Sequence, residues 1–199
     1  MIIEESNLKF EFPERMFVSK FDDTRFYRES FNRLPNCKGV DMIADSHEMF
    51  QMIEVKNCTG HEPENTWRTS VNNSKRSSAP LTLDVEDRDS LDIELAKKVT
   101  STIACLYGAW TKRMQSDAAQ ELSRFWEKAC SDKIPVSGKP IMIILFLEGN
   151  FDNPMSKTRS KKMIMQRLQE SLSAKLSWLN CRVSVVDSTT YNPKCFSVS

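Results

Sequence analysis

The chain has 199 residues, 28 % of them charged and 40 % hydrophobic, with a formal net charge of +1. Such a length suits a single domain spanning 1–199 with a core of its own, and the composition is that of an ordinary globular protein. No apolar run approaches the roughly 18 residues of a membrane span, and Met1–Glu5 lacks the basic start and apolar stretch of a secretory signal, so the expectation is no membrane partner and a cytoplasmic location.

The near-zero charge points to no class of partner by itself. Six cysteines (Cys37, Cys58, Cys105, Cys130, Cys181 and Cys195) lack paired spacing and read as reduced thiols. Cys58-Thr59-Gly60-His61 has a metal-like spacing, but no second ligand pair follows it, so zinc is not expected.

Asn7 to Phe12 alternates polar and apolar residues as a half-buried strand does, and Pro13 ends it. Met16-Phe17-Val18 reads as another short strand. Asp22-Asp23-Thr24 resembles a helix cap before Arg25 to Leu34, with Phe26, Tyr27, Phe31 and Leu34 facing inward.

Val40 to Asp45 and Met49 to Asn57 are short apolar stretches bounded by polar residues, which predicts two strands joined at a Ser46-His47 corner. A register symmetric about that corner pairs Asp45 with Glu48, Ile43 with Phe50 and Asp41 with Met52. Side chains alternate along a strand, so Asp41, Ile43, Phe50, Met52, Glu54 and Lys56 share one face. Asp41 is then diagonal to Glu54, roughly 7–8 Å away at the α-carbons, close enough for two carboxylates to share one divalent metal. Met49, Gln51, Ile53 and Val55 make the other face largely apolar too, which predicts an internal strand. Charge in such a strand needs compensation by a metal, a phosphate or a paired side chain.

The Asp41 thirteen positions before Glu54, followed by Glu54-Val55-Lys56, resembles the PD-(D/E)XK, or restriction-endonuclease-like, nuclease superfamily. The likeness covers about Val40 to Asn57, with Val40 where the family name has proline. It implies Asp41 and Glu54 as ligands of catalytic Mg²⁺ (or Mn²⁺), and Lys56 as an aid to the attacking water or the developing phosphate charge. It also implies a third acid near the first helix, with Glu29, Asp22 and Asp23 as open alternatives. The implied partner is nucleic acid, DNA being favoured, in the setting of bacterial defence or a mobile element. A protein partner or a homodimer stays open.

Beyond Asn57, residues 58–84 are rich in Asn, Ser, Pro and Gly and read as a long flexible segment. As a flap, it could offer Trp67, Arg68, Lys75 and Arg76 for stacking and phosphate contacts. Asp84 to Glu94 holds six acids and one base. They suit the start of a helix electrostatically and are not read as a metal cluster. Leu91, Leu95, Val99, Ile103, Leu106 and Trp110 trace a helical stripe, with Lys97, Lys98 and Lys112 off it. A second helix covers Asp117 to Cys130, presenting Leu122, Phe125, Trp126 and Ala129 inward.

Ile141 to Leu147 is uninterruptedly apolar, as a strand covered on both faces is. A long helix over 156–179 and a strand from Cys181 to Val186 complete a parallel βαβ unit. Lys157 to Arg182 carries seven bases against Glu170 alone. Lys157, Arg159, Lys161 and Lys162 at its start are candidate nucleic-acid contacts. The expected architecture is α/β: a mixed sheet with an N-terminal antiparallel meander and a C-terminal parallel βαβ unit, helices packed against it, as in restriction-endonuclease-like folds. The rival reading is a non-catalytic binding or assembly module, in which Lys56 pairs with Glu54 or Asp41.

Overall fold

The computed structural model describes residues 1–45, 49–130, 141–152 and 160–199. The strands in chain order are β1 (Ile2–Glu5), β2 (Leu8–Glu11), β3 (Phe17–Lys20), β4 (Met42–Asp45), β5 (Phe50–Asn57), β6 (Ile141–Glu148), β7 (Cys181–Val186) and β8 (Ser197–Val198). The helices are α1 (Arg25–Glu29), α2 (Glu62–Asn65), α3 (Leu91–Lys112), α4 (Asp117–Ala129) and α5 (Lys161–Lys175), with short 3₁₀ turns between several of them. None of the described helices is long and apolar enough to cross a membrane.

The main sheet has the order β3-β4-β5-β6-β7. β3, β4 and β5 form the antiparallel meander, and β5, β6 and β7 run parallel. Its centre is β5 beside β6. Both faces of β6 are covered, which is why its sequence is apolar at consecutive positions. One face packs Ile43, Phe50, Met52, Ile143 and Leu145 against α3, α4 and α5. The other packs Met42, Ala44, Ile53, Val55, Ile144 and Phe146 against a second, antiparallel sheet of order β1-β2-β8. Each fully buried side chain of this size stabilises the fold by about 1.5–3 kcal/mol.

The β4–β5 register differs from the expected one by two residues. Ile43 pairs with Met52 and Asp45 with Phe50. A symmetric two-residue corner would have paired Ile43 with Phe50, but four residues (46–49) separate the closing pair. Ser46, His47 and Glu48 lie outside the described residues. A slip of two keeps every side chain on its expected face, because the strand period is two. Extending the pairing by one step sets Asp41 level with Glu54, closer than the diagonal.

Three further expectations change. The helix expected over Arg25 to Leu34 is α1 followed by a 3₁₀ turn at Phe31–Arg33, and Leu34 is exposed. The segment read as flexible carries α2 and 3₁₀ turns at Thr66–Thr69 and Arg76–Ser78. Trp67 and Arg68 are buried there, and Arg76 hydrogen-bonds to the carbonyls of Val85 and Glu86. The buried face of α3 includes Asp92, Lys98, Thr102, Cys105 and Ala109 as well as Leu91, Leu95, Val99 and Leu106, while Ile103 and Trp110 lie at its margin.

Candidate functional site

Asp41 enters β4 through a tightly built approach. Gly39 lies against the Phe21 ring, and a Cβ there would come within 2.3 Å of a ring carbon. The Gly39 N–H donates to the Tyr27 hydroxyl, and the Val40 N–H to Thr102 Oγ1 at 3.0 Å. The Phe21 N–H donates to the Asp41 carbonyl at 2.8 Å. The Asp41 carboxylate then spans to β5, where its Oδ2 accepts from the Val55 N–H at 2.7 Å. Backbone and side chain are thus both fixed before any ligand is considered.

Glu54 is 1 % exposed, an unusual position for a carboxylate unless charge is paired nearby. Two ammonium groups do this. Lys98 on α3 reaches Glu54 Oε1 at 2.6 Å and Asp41 Oδ1 at 3.3 Å. Lys56, two residues along β5, reaches the same Oε1 at 2.7 Å. Glu54 Oε2 is buried and has no hydrogen-bond partner among the described residues. Burial raises the Glu54 pKa above the ordinary carboxylate value, opposed by Lys56 and Lys98.

The chain of charges continues outward. Lys56 Nζ lies 2.9 Å from Glu94 Oε1, and the other oxygen of Glu94 accepts from Arg68. Arg68 also donates to the Asp89 carbonyl and to Asn65 Oδ1. Burial disfavours the Lys56 ammonium, but Glu54, Glu94 and Asp41 outweigh it and hold its pKa above the ordinary lysine value. Lys56 is therefore a fixed cation, able to stabilise negative charge and poorly suited to accept a proton. Asp41, Lys98, Glu54, Lys56, Glu94 and Arg68 alternate in sign, so three acids and three bases sum to zero.

The expected trio of Asp41, Glu54 and Lys56 is brought together. Of the candidate third acids, Glu29 is exposed and lies near Arg25, and exposed Asp23 pairs with Arg28. Asp22 is the one near Asp41. Burial raises its carboxyl pKa, with Asp23, Asp41 and Glu5 acting in the same direction against Lys20, and its Oδ1 has no hydrogen-bond partner among the described residues. Glu94 and Lys98 were not expected here. The available signal was an acid and a base one turn apart, each beside a residue of the apolar stripe.

Lys161 and Lys162 are not part of this constellation. Lys161 pairs with Asp187 at 2.8 Å and Glu148 at 3.5 Å, whereas Lys162 is exposed. Lys157 and Arg159 lie outside the described residues. A cleft of about 720 Å³ lies between the 62–78 segment and the early turns of α5, with Trp67, Phe151 and Ile164 among its walls and exposed Lys75 and Arg167 beside them. Trp67 lines this cleft while Arg68, the next residue, reaches Glu94.

The described residues contain no cluster of three or more His, Cys, Asp or Glu side chains arranged for a metal. They do contain two carboxylate oxygens, Asp41 Oδ1 and Glu54 Oε1, converging on one cation. A Mg²⁺ site needs no more protein ligands than this, since Mg²⁺ usually keeps several waters and binds through one or two carboxylates plus substrate phosphate. The donor set fits.

A protein-family model, described as Family of unknown function (DUF6661), matches residues 24–199. The chain belongs to this family. The matched span contains all six members of the charge chain. No curated protein and no solved structure matches significantly.

Proposed function

We propose that the protein is a Mg²⁺- or Mn²⁺-dependent phosphodiesterase acting on nucleic acid, with the restriction-endonuclease-like arrangement suggested by its Asp41 and Glu54-Val55-Lys56 pattern. The observation carrying this reading is the convergence of Asp41 Oδ1 and Glu54 Oε1 on a single positive centre, beside a buried oxygen of Glu54 without a partner among the described residues. Asp41 and Glu54 would hold the cation through hard oxygens. When bound, such a cation polarises a phosphoryl oxygen and lowers the pKa of coordinated water.

The chain's own residues supply the rest. Val55 N–H keeps Asp41 turned toward Glu54. Lys56 contributes fixed positive charge where negative charge develops on the phosphate, an electrostatic role that its raised pKa suits. Glu94 aims Lys56, and Arg68 holds Glu94. The cleft lined by Trp67, with exposed Lys75 and Arg167 beside it, is a candidate path for a polyanionic strand.

A second reading has its own support. Lys56–Glu54 and Lys98–Glu54 are close ion pairs that compensate the buried carboxylates without a metal, as in a binding or assembly module. Calorimetric titration with Mn²⁺, followed by incubation of plasmid and single-stranded DNA with and without Mn²⁺, separates the two. Saturable binding with metal-dependent cleavage is expected. No binding at millimolar Mn²⁺ by the folded protein would leave the assembly module.

A further inference from the structure

We infer that Lys98 is a positioning residue of the metal site just proposed, an inference resting on that reading: its ammonium stands where the metal ligands converge, keeps them apposed, and gives way when a divalent cation enters. Three observations support this. First, Lys98 Nζ contacts both proposed ligands, Glu54 Oε1 at 2.6 Å and Asp41 Oδ1 at 3.3 Å, from a helix that neither belongs to. A divalent cation bound through those two oxygens would compete for the same space. Second, Glu54 is 1 % exposed and its Oε2 has no partner among the described residues, so the carboxylate keeps accepting capacity that the Lys98 and Lys56 ammonium groups on Oε1 leave unused. Third, the charge of the site is balanced only while Lys98 is present. Three acids face three bases, and removing Lys98 leaves a net charge of −1.

Without a resident cation, two buried carboxylates on adjacent strands would repel each other, or one would take up a proton. Lys98 prevents both, so the ligands are already in place when metal arrives. The lysine stem has several rotatable bonds and allows the head group to leave without moving α3.

Lys98→Met keeps the length of the stem and removes the competing charge. Mn²⁺ binding to the folded variant, followed by calorimetry and by loss of the free-ion paramagnetic resonance signal, should be about tenfold or more tighter than in the parent, because a unit charge no longer competes for the same oxygens. A merely structural role would loosen the site and weaken binding. Equal or weaker binding by a folded Lys98→Met variant overturns the inference and leaves the parent's own metal binding to support the nuclease reading. Tighter binding by Lys98→Met with none by the parent means that Lys98 does not give way to metal, which overturns the inference and defeats the nuclease reading of this chain. If neither binds Mn²⁺, both fail together.

The second measurement needs no variant. Brief acylation of the parent by an amine-reactive ester, mapped by mass spectrometry, should find Lys98 protected without metal and severalfold more reactive in saturating Mg²⁺. Unchanged reactivity under those conditions overturns the inference even where Lys98→Met fails to fold.

Discussion

Glu54 and Lys56 sit two residues apart on one strand, yet their substitutions should fail differently. Glu54→Gln preserves size and removes the charge that a hard cation needs, so Mn²⁺ affinity and cleavage should fall together. Lys56→Ala removes no proposed ligand, so Mn²⁺ should still bind while turnover drops by about 10²-fold or more, the scale on which oxyanion-type stabilisers act. Melting curves must come first, because removing one partner of a buried pair can cost about 3–5 kcal/mol. Loss of metal binding in a folded Lys56→Ala variant would refute this division of labour. Gly39 gives a second residue-scale test. Its absent side chain admits the Phe21 ring, so Gly39→Ala should destabilise the fold by about 1–3 kcal/mol by overpacking. It should also weaken Mn²⁺ binding, since Asp41 is two residues away. An unshifted melting temperature would count against that account. Asp41, Glu54 and Lys56 were legible as one set because a strand's two-residue period survives an error of two in register. Glu94 and Lys98 were hard to read, because an apolar stripe locates the greasy part of a helix face and is silent about which charged residues share that face.

Among the elements, β6 was readable from its unbroken apolar run, β5 and β7 from short stretches with apolar residues at most or alternate positions, and α4 from its aromatic spacing. The turns of the 62–78 segment were hidden. Their order comes from distant partners such as Glu94, Asp89 and Asp92, which hold Arg68, the Asn73 side-chain amide and the Asn72 backbone N–H, and local composition carries no record of such bonds. The ends of β7 and α5 are tied by Asp187, whose carboxylate pairs with Lys161 and accepts from Thr189 and Thr190, and Lys161 also reaches Glu148 at the end of β6. Burial alone would raise its pKa, but these donors outweigh it and hold it below the ordinary carboxylate value. A depressed folded pKa means that the stabilisation is fully present above the unfolded value of about 3.9 and is lost as pH falls toward the folded one. Asp187→Asn should therefore cost about 1–3 kcal/mol at neutral pH, and less as pH drops below about 4. Chemical denaturation of parent and variant across that range measures it. A gap that stays constant with pH would contradict the assignment.

At the level of the whole molecule, the charge chain sums to zero, so without metal the long-range attraction for a polyanion rests on peripheral bases. Lys75, Arg167 and Lys162 are the exposed described bases beside the cleft and along α5. Replacing all three by Ala should lower the salt dependence of nucleic-acid binding by about 0.7–0.9 in log–log slope per lost phosphate contact. Anisotropy of a labelled oligonucleotide in chelator, across a range of salt, reads this directly. An unchanged slope would return these residues to plain solvated surface. The large sheet and its helical cover were foreseen in outline, whereas the small sheet was not. β1 turns into β2 through Ser6 and Asn7, both at positive φ, without the Asn-Gly or Asp-Gly signal of such hairpins.

The small sheet also bears on the order of assembly. Phe10 in β2 pairs with Val198 in β8, and Phe196 packs edge-on against Phe10 and Phe146. Loop-closure entropy makes contacts between such distant parts of a chain slow to form. During synthesis, the face of the main sheet bearing Met42, Ile53, Val55 and Phe146 must wait for the segment around Phe196 before its cover is complete. Until it arrives, that face is covered only in part, by Ile3, Phe10, Phe12 and Met16 from the start of the chain. That interval is when a chaperone would have most to hold.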